Sequence, residues 1–328
     1  MAHRPVRLRV KQFVAIAWLT TLEALRQPIC LLLEATSIAL VAVLPSLIMH
    51  TLGEPQKLVR DSALALHFVG GLLLAGYTSV AAMQHEIKRG TVAAVLTKPV
   101  GRTLFFLAKF AGVALVLVLF SLASGIATLL SARMVSEYYQ LDWWVGGPLM
   151  GGIVAAFVVA GALNYFTDRP FVQTAFWILL GALTLVLVVT NFLSADGKLV
   201  AWGSLITWKI VPATVLITLA LVLLAAVGVT LATRLDTVPT LSLCSVIFMV
   251  GLMSDYLFGR QAANHLIAAV LYGIVPNWQH FWMTDALSGE GTIPWAYVGQ
   301  VVEYTVFYLA GVLALGILAF ERMEVKSA

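Results

Sequence analysis

The chain has 328 residues, of which 61% are hydrophobic and only 11% are charged, and its formal net charge is +4. Soluble domains carry roughly 25% charged and about 45–50% apolar residues, so the composition excludes a soluble protein and predicts an integral membrane protein. The two cysteines, Cys30 and Cys244, are too few for a disulfide framework. The basic excess is interpreted as charge beside the cytoplasmic leaflet, so no nucleic acid partner is expected.

Residues 1–28 are predicted to form a separate element that lies on the cytoplasmic leaflet. Its proposed apolar side consists of Phe13, Ile16, Ala17, Thr20 and Leu25, with basic residues around them. This pattern is typical of an amphipathic helix whose apolar side enters the acyl boundary. Pro28 then ends the helix before the first span; the alternative is a first span that begins earlier. No cleaved signal peptide is expected, because no compact apolar core precedes a small-residue cleavage site.

Eight apolar windows follow, and a helix needs about 20 such residues to cross roughly 30 Å of hydrocarbon. The windows are 29–49, 63–83, 104–130, 149–166, 171–192, 210–231, 241–257 and 296–320. They are continuously apolar, which favours helices over the alternating strands of a barrel. The predicted fold is therefore an all-α polytopic membrane protein with about eight transmembrane helices. The fourth and seventh windows are short, and residues 266–275 are predicted to form a re-entrant or interfacial piece.

The basic residues predict the orientation of these spans. Eight spans put both termini on one side, and that side holds all but six of the 20 Lys and Arg residues. The exceptions are Lys57, Arg60, Arg133, Lys198, Lys209 and Arg260. Positive charge accumulates on the cytoplasmic side, so both termini, including the tail 321–328, are predicted to be cytoplasmic. The segment 259–294 is then external.

The stretch "QHEIKRGTVAAVLTKPVGR", residues 84–102, is the largest internal cytoplasmic piece in this topology. Thr91 can cap a short helix, and the residue before Pro99 leaves the α region. A short helix with charged ends and an apolar face suits docking into the groove of a partner. The alternative is a loop whose charges only set the topology.

The same stretch carries a resemblance to a known family. The segment "HEIKRGTVAAVLTKPVGRTLFFLAKFAG" resembles one shared by the membrane subunits of ABC-2 type exporters, especially the permeases associated with nitrous oxide reduction and gliding motility. The matching positions are Glu86, Gly90, Thr91, Leu96, Lys98, Pro99, Val100, Gly101, Arg102, Lys109 and Gly112. "TLEALRQP" is similar to the end of the family's surface helix, and "VPNWQHFWMTDAL" to its ending. The family typically has six spans, and the departure falls between about Leu149 and Leu257.

The resemblance implies the ABC-2 (type V) transporter fold and a permease of the bacterial inner membrane that, as an exporter, moves its cargo outward. It implies pairing with a second permease subunit, as a homodimer or heterodimer, with ABC ATPase subunits and with membrane lipids around them. The loop between the second and third spans would couple to the ATPase. Its candidate residues are Glu86, Lys88, Arg89, Gly90, Thr91, Lys98, Pro99 and Arg102. Residues 266–275 and 278–287 would cap the outer end of the path; the alternative is an ordinary interfacial loop.

Motifs for chemistry within the chain itself are missing. No Gly-x-x-x-x-Gly-Lys-Ser/Thr loop occurs, so ATP and magnesium are expected in the partner ATPase and no cofactor in this chain. No His-Glu-x-x-His, Cys-x-x-Cys or Gly-x-Ser-x-Gly motif supports a metal site or a nucleophile. The chain is therefore predicted to be a transporter subunit and not an enzyme. The alternatives are a membrane-embedded lipid-modifying enzyme and a scaffold that recruits an ATPase without transport.

Polar residues within the spans are the remaining candidates, because charge in a bilayer is costly and tends to be functional. Glu34 and Glu303 are the candidates for the translocation path; alternatively, each stays near the headgroups. His67 and Asn164 are predicted to be hydrogen-bond partners between helices. The fourth span carries two stripes of small residues, 147/151/155 and 152/156/160, which predict either a contact within the subunit or a dimer seam.

Overall fold

The computed structural model describes residues 6–48, 54–88, 101–135, 141–289 and 291–322, and for Val6 and residues 85–88 only the backbone. The helices are α1 Val6–Leu25, α2 Pro28–Ile48, α3 Pro55–Lys88, α4 Arg102–Met134, α5 Trp143–Thr167, α6 Phe171–Thr190, α7 Val211–Leu231, α8 Thr237–Leu252, α9 Ser254–Leu257, α10 Leu266–Ile274 and α11 Trp295–Glu321. Short 3-10 turns occupy Trp208–Ile210, Gly259–Gln261, Trp278–Phe281 and Thr284–Leu287. The described residues form no β-strand, so the all-α prediction is confirmed.

Seven helices, α2 to α7 and α11, are long and apolar enough to cross a membrane. An eighth crossing exists if α8 and the following piece Ser254–Gln261 form one span, which is bent by 64°. The bend follows Gly251, where a Cβ atom would clash with the carbonyl oxygen of Pro276 and lie 2.5 Å from the Trp278 Nε1 atom. The prediction of a polytopic helical membrane protein is confirmed, and the short seventh window corresponds to this broken helix.

The helix at the fourth window is longer than the window itself, which covered residues 149–166. Its helix, α5, begins at Trp143 because the side chain of Asp142 accepts a hydrogen bond from the Trp144 backbone N–H and so caps the helix. The stripe with Gly152 packs on α6, since a Cβ atom at Gly152 would lie 3.3 Å from Val186. The stripe with Gly147 and Gly151 is exposed, and a Cβ atom at either position would meet nothing within 4 Å. The stripe with Gly152 is therefore a contact within the subunit, and the stripe with Gly147 and Gly151 contacts no other helix within the described chain.

Helices α4 and α7 form the centre of the bundle. α4 packs against α1, α2, α3, α7 and α11, and it joins two hydrophobic clusters of the core. α3 approaches α7 closely at Gly228, where a Cβ atom would lie 2.9 Å from that of Ser79. Small residues permit such approaches in membranes, where packing rather than water exclusion drives helix association. α11 is the least enclosed of the long apolar helices.

The helix bundle has two ends, called here the near end and the far end. The near end carries Leu25, Arg102 and Glu321. The far end carries Pro55, Met134 and Trp295. Successive apolar helices alternate in direction between the two ends.

α1 packs on the protein with the side that was expected to enter lipid. Thr21 Oγ1 donates a hydrogen bond of 3.1 Å to the carbonyl of Gly112, and Thr20 and Leu25 are buried. The exposed apolar residues of α1 are Leu8, Val10, Val14, Trp18 and Leu19. The predicted apolar face was wrong for Thr20 and Leu25, because small residues beside Gly112 let α1 lie directly on α4.

Candidate functional site

Of the eight residues predicted to couple the chain to an ATPase, the structure describes three, and these lie at the near end. Glu86 and Lys88 are in the last turn of α3, where only the backbone is described. Arg102 is the first residue of α4. The remaining candidates, Arg89, Gly90, Thr91, Lys98 and Pro99, lie outside the described residues, as does the tail beyond Arg322.

The α3 side of this segment is attached to α7. Gln84 is buried, and its Nε2 atom donates to the carbonyl oxygens of Ala232 at 3.0 Å and Leu235 at 2.6 Å. Both acceptors follow the last residue of α7, where backbone carbonyls have no partner within the helix. The end of α3 therefore moves together with the end of α7 unless these bonds break.

The α4 side of the segment is attached to α11. Arg102 Nη1 donates to the backbone carbonyl of Glu321 at 2.7 Å, and Thr103 Oγ1 donates to the Glu321 carboxylate at 2.8 Å. A cation at the C-terminus of a helix is also favoured by the helix dipole. The start of α4 is thereby bound to the end of α11.

A buried lysine attaches α4 to α1 at the same end. Lys109 is only 2% exposed, and its Nζ atom lies 3.5 Å from a carboxylate oxygen of Glu23 and 5.7 Å from the ring centre of Phe105. A buried cation needs such partners, since leaving it unpaired away from water is costly. Lys109 was part of the family resemblance, but its ion pair with α1 was not predicted.

A second group of polar residues is buried among α2, α3 and α4. Glu34, His67, Ser121 and Ser124 are buried, and their side-chain polar atoms have no hydrogen-bond partner within the described parts of the chain. The His67 ring lies 5.9 Å from that of Phe120, and Phe120 also packs on Gly70. Unpaired polar groups in an apolar interior are costly, and in a membrane they tend to be functional.

Two predictions about polar residues in the spans are wrong. Among the residues that the structure describes, His67 has no hydrogen-bond partner on another helix, because it faces the ring of Phe120 rather than a polar group. Asn164 bonds to the loop that follows its own helix, where its Nδ2 atom donates to the Arg169 carbonyl at 2.5 Å. Both residues were judged by type, and type alone does not show what lies opposite a side chain.

Glu34 and Glu303, the two candidates for a translocation path, are not brought together. Glu34 is fully enclosed beside α3 and α4, whereas Glu303 is exposed on α11. A lone carboxylate facing lipid is expensive, so the two residues have different surroundings and need separate explanations.

The far end carries a polar network that attaches the segment 254–289 to α11. Asp255 accepts hydrogen bonds from the Tyr272 hydroxyl at 2.7 Å and from Asn277 Nδ2 at 2.8 Å. The backbone N–H of Asn277 donates to the Tyr304 hydroxyl at 3.0 Å, and the Tyr297 hydroxyl donates to the His280 carbonyl at 2.9 Å. The hydrogen bond to Asp255 raises the pKa of Tyr272 above its usual value.

Two apolar cavities lie along the side of the bundle between α3 and α8. The first has a volume of about 620 Å³ and is lined by Leu73, Gly76 and Leu241 among others. The second, of about 590 Å³, is lined by Val69 and Trp282 and shares Phe248 with the first. Together they form a cleft, the α3–α8 cleft, whose lining suits an acyl chain or another apolar group.

The described residues contain no group of three or more His, Cys, Asp or Glu side chains that could hold a metal ion. The fold and these features define a multi-pass α-helical membrane protein with interlocked near-end helices, buried unpaired polar groups and a lateral apolar cleft. No protein-family model, curated protein or solved structure matches the chain.

Proposed function

We propose that the chain is the membrane-spanning permease subunit of an ABC-2 type exporter in a bacterial inner membrane, with the near end and both termini in the cytoplasm. A separate ATPase subunit binds ATP and magnesium and contacts the segment 84–102. The observation that carries the proposal is that both flanks of this segment are bonded to the ends of other spans. These bonds are those of Gln84 to α7 and of Arg102 and Thr103 to α11.

The mechanism follows from those bonds. Closure of the ATPase pair displaces the segment between α3 and α4, and the two flanks transmit the displacement to α7 and α11. Because α4 and α7 are the central helices, a shift at their near ends changes the packing of the whole bundle. The cargo passes along the protein without covalent chemistry in this chain, and the α3–α8 cleft supports an apolar or amphiphilic cargo.

A second permease subunit accounts for the outer surface of α11. Phe307 is 78% exposed on this helix, and Glu303 lies exposed one turn earlier. Another subunit that covers α11 shields the carboxylate from lipid and supplies it with a polar partner. The exposed stripe of Gly147 and Gly151 on α5 is a further surface that permits close helix contact.

Co-purification in mild detergent tests the proposed coupling. An ATPase with a Walker motif is expected to remain bound to the native chain and to be lost from the Glu86→Lys and Lys98→Glu variants. Arg169→Glu is the matched control, since Arg169 is an exposed near-end residue outside the segment. Retention of the ATPase by both segment variants contradicts the proposal. Lipid modification by the purified chain without ATP supports the alternative of an enzyme, and an ATPase complex without transport in vesicles supports a scaffold.

A further inference from the structure

A cavity at the far end is lined by several cationic side chains. It has a volume of about 390 Å³ and lies where the start of α3, the end of α4 and the chain entering α7 meet. Lys57, Arg60 and Lys209 line it, together with one carboxylate, that of Glu54. These residues come from distant parts of the sequence, and the fold brings their positive charges together in one half-open cavity.

Arg60 is the buried member of this group and has an unused donor. Its side chain donates from Nε to Asp61 at 2.9 Å and from Nη1 to the carbonyl of Leu287 at 2.7 Å. The residue is only 6% exposed, and its Nη2 atom has no hydrogen-bond partner among the residues that the structure describes. The Nη2 atom is closed to solvent, and a buried charged donor without an acceptor is costly, so a small shift of this guanidinium toward an anion in the cavity relieves the cost.

The surroundings of Arg60 complete an anion site. Lys209 uses one of its three N–H donors on the Gly289 carbonyl, at 2.8 Å, and makes no other side-chain hydrogen bond within the described parts of the chain. α3 begins at Pro55, so its positive dipole end also lies at the cavity. The cavity is larger than a lone phosphate requires, which leaves room for the group that carries it.

We propose that this far-end cavity binds a phosphate group, either the headgroup of an anionic phospholipid or a free phosphate. Arg60 holds the anion at the base of the cavity, and Lys57 and Lys209 contact it from the sides. Paired contacts from guanidinium and ammonium groups are the usual recognition of phosphate oxygens. The inference does not depend on the proposed coupling to an ATPase, because the cavity is formed by this chain alone.

Binding is tested on the purified full chain in a neutral detergent. One arm adds inorganic phosphate and follows the thermal unfolding midpoint, with chloride at matched ionic strength as the reference. The other arm adds phosphatidylglycerol or phosphatidylcholine and counts bound lipids by native mass spectrometry. We expect a higher midpoint with phosphate, retained phosphatidylglycerol, or both, since a ligand of the folded state stabilises it. Retention of phosphatidylglycerol alone assigns the site to lipid, and the phosphate response alone assigns it to a free anion.

The variants localise the binding. Lys57→Gln combined with Lys209→Gln is expected to weaken the response about tenfold or more, as the loss of two charged contacts predicts. Lys198→Gln is the matched control, because Lys198 is an exposed far-end lysine that does not line the cavity. Arg60→Lys, which keeps the charge but loses the fork of donors, is expected to weaken binding as well. No response in either arm, or equal losses in the double variant and the control, overturns the proposal.

Discussion

The near and far ends of the bundle are held together in different ways. At the near end, single side chains join one helix end to one other: Gln84 joins α3 to α7, and Arg102 joins α4 to α11. At the far end, Asp255, Tyr272 and Asn277 form one shared network with α11, and Arg133 binds several acceptors at the end of α6. A network whose members share partners needs several bonds to break before one element moves, so we expect the far end to resist displacement more than the near end. Under the proposed function, the near end moves against a fixed far end.

The largest expected effect comes from breaking the far-end attachment of α4. Arg133 is buried and donates from Nη1 to the Thr190 carbonyl and to Asn191 Oδ1, both at 2.7 Å, and from Nη2 to the Leu193 carbonyl. Arg133→Met removes the guanidinium donor from the buried Asn191 Oδ1 atom and from the Leu193 carbonyl, whereas the Thr190 carbonyl still accepts from the Leu193 backbone N–H at 3.0 Å. We expect a loss of about 3 kcal/mol in the free energy of unfolding. Unfolding in a detergent titration measures this loss.

Arg260→Met is the control for that measurement. Arg260 is an exposed far-end arginine whose guanidinium lies 5.1 Å from the ring centre of Tyr256, and its replacement is expected to have little effect. If Arg133→Met is no less stable than Arg260→Met, the far end is not fixed as the comparison requires.

A substitution at the near end is expected to lower the free energy of unfolding less than Arg133→Met does, but to affect transport more. Gln84→Leu keeps the approximate size of the side chain and removes both hydrogen bonds to the carbonyls after α7, which costs about 1–2 kcal/mol. Under the proposed function, ATP hydrolysis by the bound ATPase is then uncoupled from movement of the cargo. Hydrolysis and transport are measured together in reconstituted vesicles.

Gln279→Leu provides the matched far-end variant, since Gln279 Nε2 donates to the Leu252 carbonyl at 3.0 Å. It is expected to leave the ratio of transport to hydrolysis unchanged. An equal fall of that ratio in both variants shows that the near-end bonds have no special part in coupling.

The smallest effect is a pH dependence at the far end. Because the hydrogen bond to Asp255 raises the pKa of Tyr272 in the folded state, the folded protein holds this proton more tightly than the unfolded chain does. This contribution is fully present below the usual tyrosine pKa of about 10 and is lost as pH rises through the higher folded value. Thermal unfolding of wild type and Tyr272→Phe should therefore converge with rising alkalinity. A constant difference across this range contradicts the assignment.

The spans could be predicted because their signal is local. Each apolar window is continuous, and a helix is the one local structure that satisfies its own backbone in hydrocarbon. α4 and α7 were recognisable on this basis alone. The seventh window was also too short for a regular span, which agrees with the broken helix that the structure has there. Its bend, however, depends on the packing of Pro276 and Trp278 against Gly251.

The contacts of the candidate sites could not be predicted in the same way. Composition showed that Glu34 and His67 lie in apolar windows, but not that both lack partners in the described structure. The sequence also showed charged residues at Gln84–Arg102 without showing what their flanks bind. A hydrogen bond depends on which face of a helix meets which neighbour, and the order of residues along one helix does not contain that information.

The sequence by itself determined that this is a helical multi-pass membrane protein, because hydrophobicity and helix length act within each segment. Only the tertiary structure decided that α1 lies on α4, that Gln84 reaches the end of α7, and that Lys57, Arg60 and Lys209 share one cavity. These arrangements join residues far apart in the chain. They arise from the close packing of small residues and from the partners that buried polar groups find once the helices have assembled.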